Sequence, residues 1–180
     1  MPFSINNFRA QLTGQGARPN LFEVTVPFPG GADPGEAGQK FTFMCKGAQI
    51  PGADIGLVEV PYFGRNIKLA GNRTFAEWTT TVINDEDFAV HSGLVNWMNA
   101  IQGHAENLQS LSSNEYQVDA QVVQYGKEGE LLKRVTLVNC WPASIPAIEL
   151  GWDQNDAIEE FAVTWQYDYW QVIDAQTQTT

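Results

Sequence analysis

Apolar and polar residues alternate along most of this chain, the period of a half-buried β-strand. Phe22, Val24 and Val26 fall on one side of a strand that Pro27 stops. Phe41, Phe43 and Cys45 repeat the alternation, and strand-like pieces follow at residues 57–61 and 65–69. A longer strand is expected over 75–83, with Trp78, Thr80 and Val82 on one face. Residues 116–125 and 130–138 read as two strands joined by Gly126-Lys127-Glu128-Gly129, a short hairpin connection. Pro142 and Pro146 then break the chain. A final strand is expected over 158–170, where Phe161, Val163, Trp165, Tyr167 and Tyr169 share one face and Ala162, Thr164, Gln166 and Asp168 the other. Residues 171–180 carry no pattern and are expected to fray as a flexible tail.

The period changes once. Val90, Leu94, Trp97, Met98, Ile101, Ala105 and Leu108 recur every three or four residues, which predicts one amphipathic helix over 85–108. Asn84 is its candidate cap, with Asp85, Glu86 and Asp87 at the positive end of the helix dipole. Pro and Gly crowd 28–39, which reads as a surface loop, and 47–56 is rich in turn residues around Ile50-Pro51-Gly52. Residues 110–114 read as polar loop. No repeat of 20 to 50 residues is visible. Seven or so alternating strands around one helix predict a mainly β domain, an antiparallel sandwich or barrel.

Composition and charge narrow the function. The chain has 180 residues with 43% hydrophobic positions, enough for one core and one domain spanning 1–180. Ten Lys and Arg against 21 Asp and Glu give a formal charge of -11, which excludes a module that grips nucleic acid by neutralising phosphates. The charge is uneven. Glu149, Asp153, Asp156, Glu159, Glu160, Asp168 and Asp174 follow Arg134 with no Lys or Arg among them, whereas Arg65, Lys68 and Arg73 share one short stretch. Such asymmetry serves solubility or lets copies associate through opposite faces. No apolar run of about 20 residues could cross a bilayer, and Met1-Pro2-Phe3-Ser4 lacks the start of a secretory signal, so a product made and kept in a cytoplasm is expected.

Candidate chemistry is sparse. The chain lacks GxSxG, GxxxxGK[ST], HExxH and a helix-opening GxGxxG, and Thr13-Gly14-Gln15-Gly16 follows no strand. Cys45 and Cys140 have neither CxxC nor His spacing, so they read as small apolar residues. His91 and His104 lie about three and a half helical turns apart and cannot share a metal on one helix. Glu159 and Glu160 are adjacent on a strand and face opposite ways, so they cannot work as an acid–base pair. Glu149, Asp153 and Asp156 could gather around Gly151 and hold a cation, but without the spacing of a calcium loop. Trp152, Trp165, Tyr167, Tyr169 and Trp170 fit a core or subunit interface better than a stacking platform for sugars or bases. No catalytic residue, metal site or cofactor is expected.

Five stretches in order carry a resemblance. They are Ala17-Arg18-Pro19-Asn20-Leu21-Phe22-Glu23-Val24, Phe43-Met44-Cys45-Lys46-Gly47-Ala48, Gly71-Asn72-Arg73-Thr74-Phe75-Ala76-Glu77-Trp78-Thr79, Ile83-Asn84-Asp85-Glu86, and Leu150-Gly151-Trp152-Asp153 with Ile158-Glu159-Glu160-Phe161. Together they resemble the tail tube proteins of T4-like contractile-tailed bacteriophages, over about residues 17–170. The resemblance implies a structural protein of the virion, assembled in the host cytoplasm. It implies hexameric rings whose sheets join into a continuous β-barrel, with the helix over 85–108 packed on its outside, and that stack inside a sheath, with baseplate and terminator proteins at the ends. Double-stranded DNA would pass through the lumen without being held.

Mapped onto this chain, the resemblance implies an N-terminal arm (1–16), an insertion loop (28–39) longer than the family's usual turn, and an inter-ring loop (47–63). Ile50, Pro51, Leu57, Tyr62, Phe63 and Arg65 are the candidate inter-ring contacts. Asp119, Gln121, Glu160 and Asp168, opposite apolar strand faces, are candidates to line the lumen. An acidic lining felt within about 8 Å of the wall would repel phosphates and let a duplex slide. Two other readings compete: the tube of a phage-derived injection device, such as a tailocin or secretion-system tube, and an acidic monomeric β-barrel that binds a ligand through its aromatic residues.

Overall fold

The computed structural model describes residues 5–12, 16–30, 36–106, 108–109 and 111–174. Among them the elements run α1 (Ile5–Gln11), β1 (Phe22–Thr25), α2 (Ala37–Met44), β2 (Cys45–Ala48), β3 (Asp54–Tyr62), β4 (Arg65–Thr74) and β5 (Trp78–Ile83). The order continues α3 (Ala89–Ile101), α4 (Ser113–Tyr116), β6 (Val118–Tyr125), β7 (Leu131–Ser144), β8 (Glu160–Gln166) and β9 (Tyr169–Asp174). Every strand pair is antiparallel, as the alternating faces predict. A first sheet has the order β1-β6-β7-β9. A second has the order β2-β5-β8 followed by the end of β7. β7 belongs to both, while β3 and β4 form a ribbon of their own.

Aromatic residues fill the space between the sheets and the helices. Trp165 is fully buried and stands at the centre, with ring centroids 5.8 Å from Phe41 on α2, 5.8 Å from Trp97 on α3 and 6.0 Å from Trp78 on β5. A buried indole N–H needs an acceptor. Trp165 Nε1–H donates to Thr80 Oγ1 at 2.9 Å, and Trp97 Nε1–H to the Tyr116 carbonyl at 2.9 Å. Strand β5 is buried at every second residue, with Trp78, Thr80 and Val82 inward as its pattern predicts.

Several expectations are corrected. Residues 41–44 are not strand but the end of helix α2, which buries Ala37 and Phe41, four residues apart, and leaves Phe43 85% exposed. Packing against α3 decides this: a Cβ at Gly93 would lie 2.8 Å from the Ala37 Cβ, so the two helices touch at a glycine. On the outer side Lys40 pairs with Asp85 at 2.7 Å and with Asp87. Hydrogen bonding to the two carboxylates, Asp85 first, raises the Lys40 pKa, and the ammonium lowers both of theirs.

Helix α3 is shorter than the expected 85–108. Residues 85–87 form a turn in which Asp87 Oδ1 accepts from the Ala89 N–H at 3.0 Å, and Phe88 at φ 52° separates that turn from the helix. Asn84 does not cap it; its side chain donates to Glu159. The helix stops at Ile101, and the Gly103 N–H turns to the Leu108 carbonyl at 3.0 Å. Within the expected loop 110–114, Ser112 opens α4 through a capping box with Glu115.

Pro142 does not break the chain: β7 runs on to Ser144, with Pro142 beside a register shift, where a sheet tolerates proline. The expected final strand divides at residues 167–168 into β8 and β9. Residues 171–174 do not fray but pair with 133–136 of β7. Within the expected N-terminal arm, α1 buries none of its residues. The remaining parts of the arm (1–4 and 13–15), of the 28–39 loop (31–35) and of the tail (175–180) lie outside the described residues.

Trp165→Ala removes the ring on which both helices and β5 pack and orphans the Thr80 hydroxyl. It is expected to cost about 3 to 5 kcal/mol, read as a shift in the urea midpoint, against about 1 to 2 kcal/mol for Trp165→Phe.

Candidate functional site

The ribbon β3–β4 is the most unusual surface of the chain. It closes through Phe63-Gly64, both at positive φ (43° and 76°), the two-residue turn that matches strand twist. Facing partners in an antiparallel pair point to the same side. Val58 with Leu69, Val60 with Ile67 and Tyr62 with Arg65 therefore form one face; Leu57 with Ala70, Glu59 with Lys68 and Pro61 with Asn66 form the other. Every residue of β3 is exposed, and eight large apolar side chains stand in water along the ribbon, from Val60 at 41% to Phe63 at 91%. A lone two-stranded ribbon is marginal in water, so an arm with an uncovered apolar face is built to be covered.

The root of the arm is fixed to the body by two indoles. Trp78 Nε1–H donates to the Gln49 carbonyl at 2.7 Å, and Trp170 Nε1–H to the Gly52 carbonyl at 2.9 Å. Of the six residues the sequence points to here, Leu57, Tyr62, Phe63 and Arg65 lie on the arm, Ile50 is exposed at its root, and Pro51 is buried in the subunit. Val58, Val60, Ile67 and Leu69 complete the apolar face and were missed. Their alternation is visible in the sequence, but the absence of anything packed on them is not.

The four lumen candidates do not share one face. Gln121 lies on the first sheet's polar face in a row Thr25, Gln121, Thr136, Gln171, beside a second row Glu23, Val123, Arg134, Ile173. Tyr125 bridges on this face to Glu23, its O–H donating at 2.7 Å, and that bond, with burial behind it, raises the Tyr125 pKa. Asp119 and Asp168 instead flank the bend of β7. Asn139 sits there at φ 58°, its backbone N–H donating to Asp119 Oδ1 at 3.2 Å and its side-chain N–H to Asp168 Oδ2 at 2.6 Å. Glu160 is far off at the start of β8, paired with Lys46 at 2.5 Å.

Other candidates are dispersed. His91 and His104 line one groove of about 460 Å³ with Met98 and Ile145, and among the described residues no cluster of three His, Cys, Asp or Glu is placed to hold a metal. Trp165 is core, Trp170 serves the arm root, and Trp152 is fully exposed, so the C-terminal aromatics form no common platform. Burial pushes the Cys45 thiol up to about 12 and the Cys140 thiol higher still, leaving both protonated at neutral pH.

Residues 17–173 match the protein family described as phage tail tube protein. The chain belongs to that family. It is 34% identical to the tail tube protein gp19 of Enterobacteria phage T4 over 164 residues, covering 91% of this chain and 96% of that one. To gp19 of Enterobacteria phage T6 it is 35% identical with the same coverage. In fold it is similar to a chain of the sheath–tube complex of the extracellular contractile injection system PVC in its extended state. That likeness has a TM-score of 0.60 at 16% identity, over 96% of this chain and 99% of that one. The phage tail tube family is structural and not enzymatic, which agrees with a sequence whose motifs point to no catalysis.

For a tail tube subunit the bend at Asn139 orients one sheet against the other, and it is testable. Asn139→Ala places a Cβ without local hydrogen bonding in the left-handed region, which costs about 1 kcal/mol more than Asn139→Gly. Thermal unfolding should rank wild type above Asn139→Gly and Asn139→Gly above Asn139→Ala; the reverse order of the two variants would show that backbone conformation is not what Asn139 supplies.

Proposed function

We propose that the chain forms homohexameric rings that stack into the hollow inner tube of a contractile phage tail, inside a sheath and between baseplate and terminator proteins. Double-stranded DNA would cross the lumen on its way to the host. The observation that carries this reading, beyond family membership, is the arm: a rooted ribbon rich in apolar residues, with Arg65, Lys68 and Arg73, that has no cover among the described residues.

The first sheet supplies the ring. Among the described residues its outermost strands, β1 and β9, each pair on one side only, leaving rows of N–H and C=O groups that template a further strand. A neighbour that continues the sheet from β9 to β1 makes a head-to-tail contact, the kind that closes into a ring. One face of that sheet is covered by the aromatic core, so the other face, with its Thr25-Gln121-Thr136-Gln171 row, turns to the lumen. The lining is then less acidic than a charge of -11 suggests: Thr25, Gln121 and Gln171 are uncharged, and the neighbouring row adds one acid, Glu23, and one base, Arg134.

Two tests address this. Replacing residues 57–70 with a short Gly-Ser turn is expected to leave the melting temperature of the body within a few degrees and to abolish tubes in negative-stain micrographs. Tubes formed by the armless chain would remove the arm from assembly. Gln121→Lys in an otherwise intact phage is expected to slow DNA release while tail length stays unchanged; release at the normal rate would show that Gln121 does not face the passing duplex.

A further inference from the structure

The arm and the acidic segment lie at opposite ends of the second sheet. In that sheet Trp78 stands opposite Trp165 at one end and Ile83 opposite Glu160 at the other. The arm departs beside the first pair, after Ala48 and before Trp78. The segment 145–159 leaves β7 after Ser144, opposite Thr164, and enters β8 beside the second pair at Glu160, about 17 Å away along the strand. The two surfaces match in character. The arm shows Tyr62, Phe63 and Ile67 together with Arg65, Lys68 and Arg73, which make no ion pair among the described residues. The segment shows Leu150, Trp152 and Ile158, all more than two-thirds exposed, with Glu149, Asp153 and Asp156 and no basic residue. Glu159 and Glu160 are already engaged by Asn84 and Lys46. Between residues 147–151 and 157–160 runs a groove of about 390 Å³.

We propose that the tip of the arm of one copy seats in the 147–160 groove of a second copy in the next ring, Phe63 entering against Leu150 and Ile158, while the ribbon's two faces carry Arg65 and Lys68 to Glu149, which lines the groove, and to Asp153 and Asp156, exposed beside it. This rests on the stacked-ring reading and names its contact. Because the two surfaces occupy opposite ends of one sheet, a copy cannot satisfy its own arm, and two copies cannot satisfy each other by a two-fold exchange without leaving the line of the sheet. The contact is heterologous and repeats along the sheet's strand direction, which yields an open-ended stack. Apolar contact supplies affinity, while the charges set register and reject a ring presented with the wrong face.

The test uses the full chain and three variants: a loop variant (Glu149→Lys, Asp153→Lys, Asp156→Lys), an arm variant (Arg65→Glu, Lys68→Glu), and a chain carrying all five changes. All sites are exposed, and unchanged melting curves confirm folding. Pelleting and negative-stain microscopy read the yield of tubes. The expected result is tubes from wild type, a roughly tenfold or greater loss in the loop and arm variants taken singly, and recovery in the combined chain, where the charges match again. A loop variant that forms tubes as wild type does, or a combined chain no better than the single-sided variants, overturns this docking while leaving the stacked ring standing; the acidic segment would then face a different partner. A wild-type chain that stays monomeric at high concentration removes the stacked-ring reading and this contact with it.

Discussion

One strand has to serve two sheets, and the arrangement of the subunit depends on how it does so. β7 pairs with β6 and β9 in its first part and with β8 in its last, so it must turn part-way. A turn inside a strand breaks the ladder and leaves backbone groups without partners. Asn139 resolves this by taking the left-handed conformation that asparagine tolerates better than most residues, while Asp119 accepts its backbone N–H and Asp168 its side-chain N–H. The opposite edge yields at the same level, where β8 gives way to β9. With both edges turned, the two sheets enclose a wedge wide enough for Trp78, Trp97, Trp165 and Phe41.

Much of this was legible in the residues and part was not, for physical reasons. β5 and β8 announce themselves because each is covered on one face, so their period-2 pattern records their burial. The same pattern misleads at 41–45, where Phe41, Phe43 and Cys45 alternate, yet a glycine contact with α3 makes the segment a helix. Local pattern cannot see a partner helix fifty residues away. Pro142 misleads in the opposite sense: proline removes one donor, and whether that donor was needed depends on a neighbouring strand's register. The arm was legible as two strands and a turn, but alternation says only that two faces differ, not that both are bare. The lumen candidates show the same limit. The side of a strand on which Asp119, Gln121, Glu160 and Asp168 lie can be counted from the sequence, but the sheet and the bend to which each belongs cannot.

The charge acquires a geometry from the fold. An excess of acids over bases suits a protein that must not hold DNA, yet the sheet face proposed to meet DNA is mainly uncharged, and three unpaired acids lie on a connection outside both sheets. Three of the ten bases, Arg65, Lys68 and Arg73, sit on a ribbon at the far end of the same sheet. Acidity in this chain is thus a matter of polarity along an axis as much as of repulsion from a wall.

The two indole bonds at the root of the arm have a mechanical consequence. A tube that is driven forward carries axial load from one subunit to the next, and under the proposed stacking that load enters each body through residues 49–53 and 75–77. Trp78 delivers it to the second sheet and Trp170, on β9, to the first. Force is therefore divided between the two sheets at the point of entry and spread over many ladder bonds strained in parallel. Under that stacking, thrust would reach both sheets at once instead of one alone.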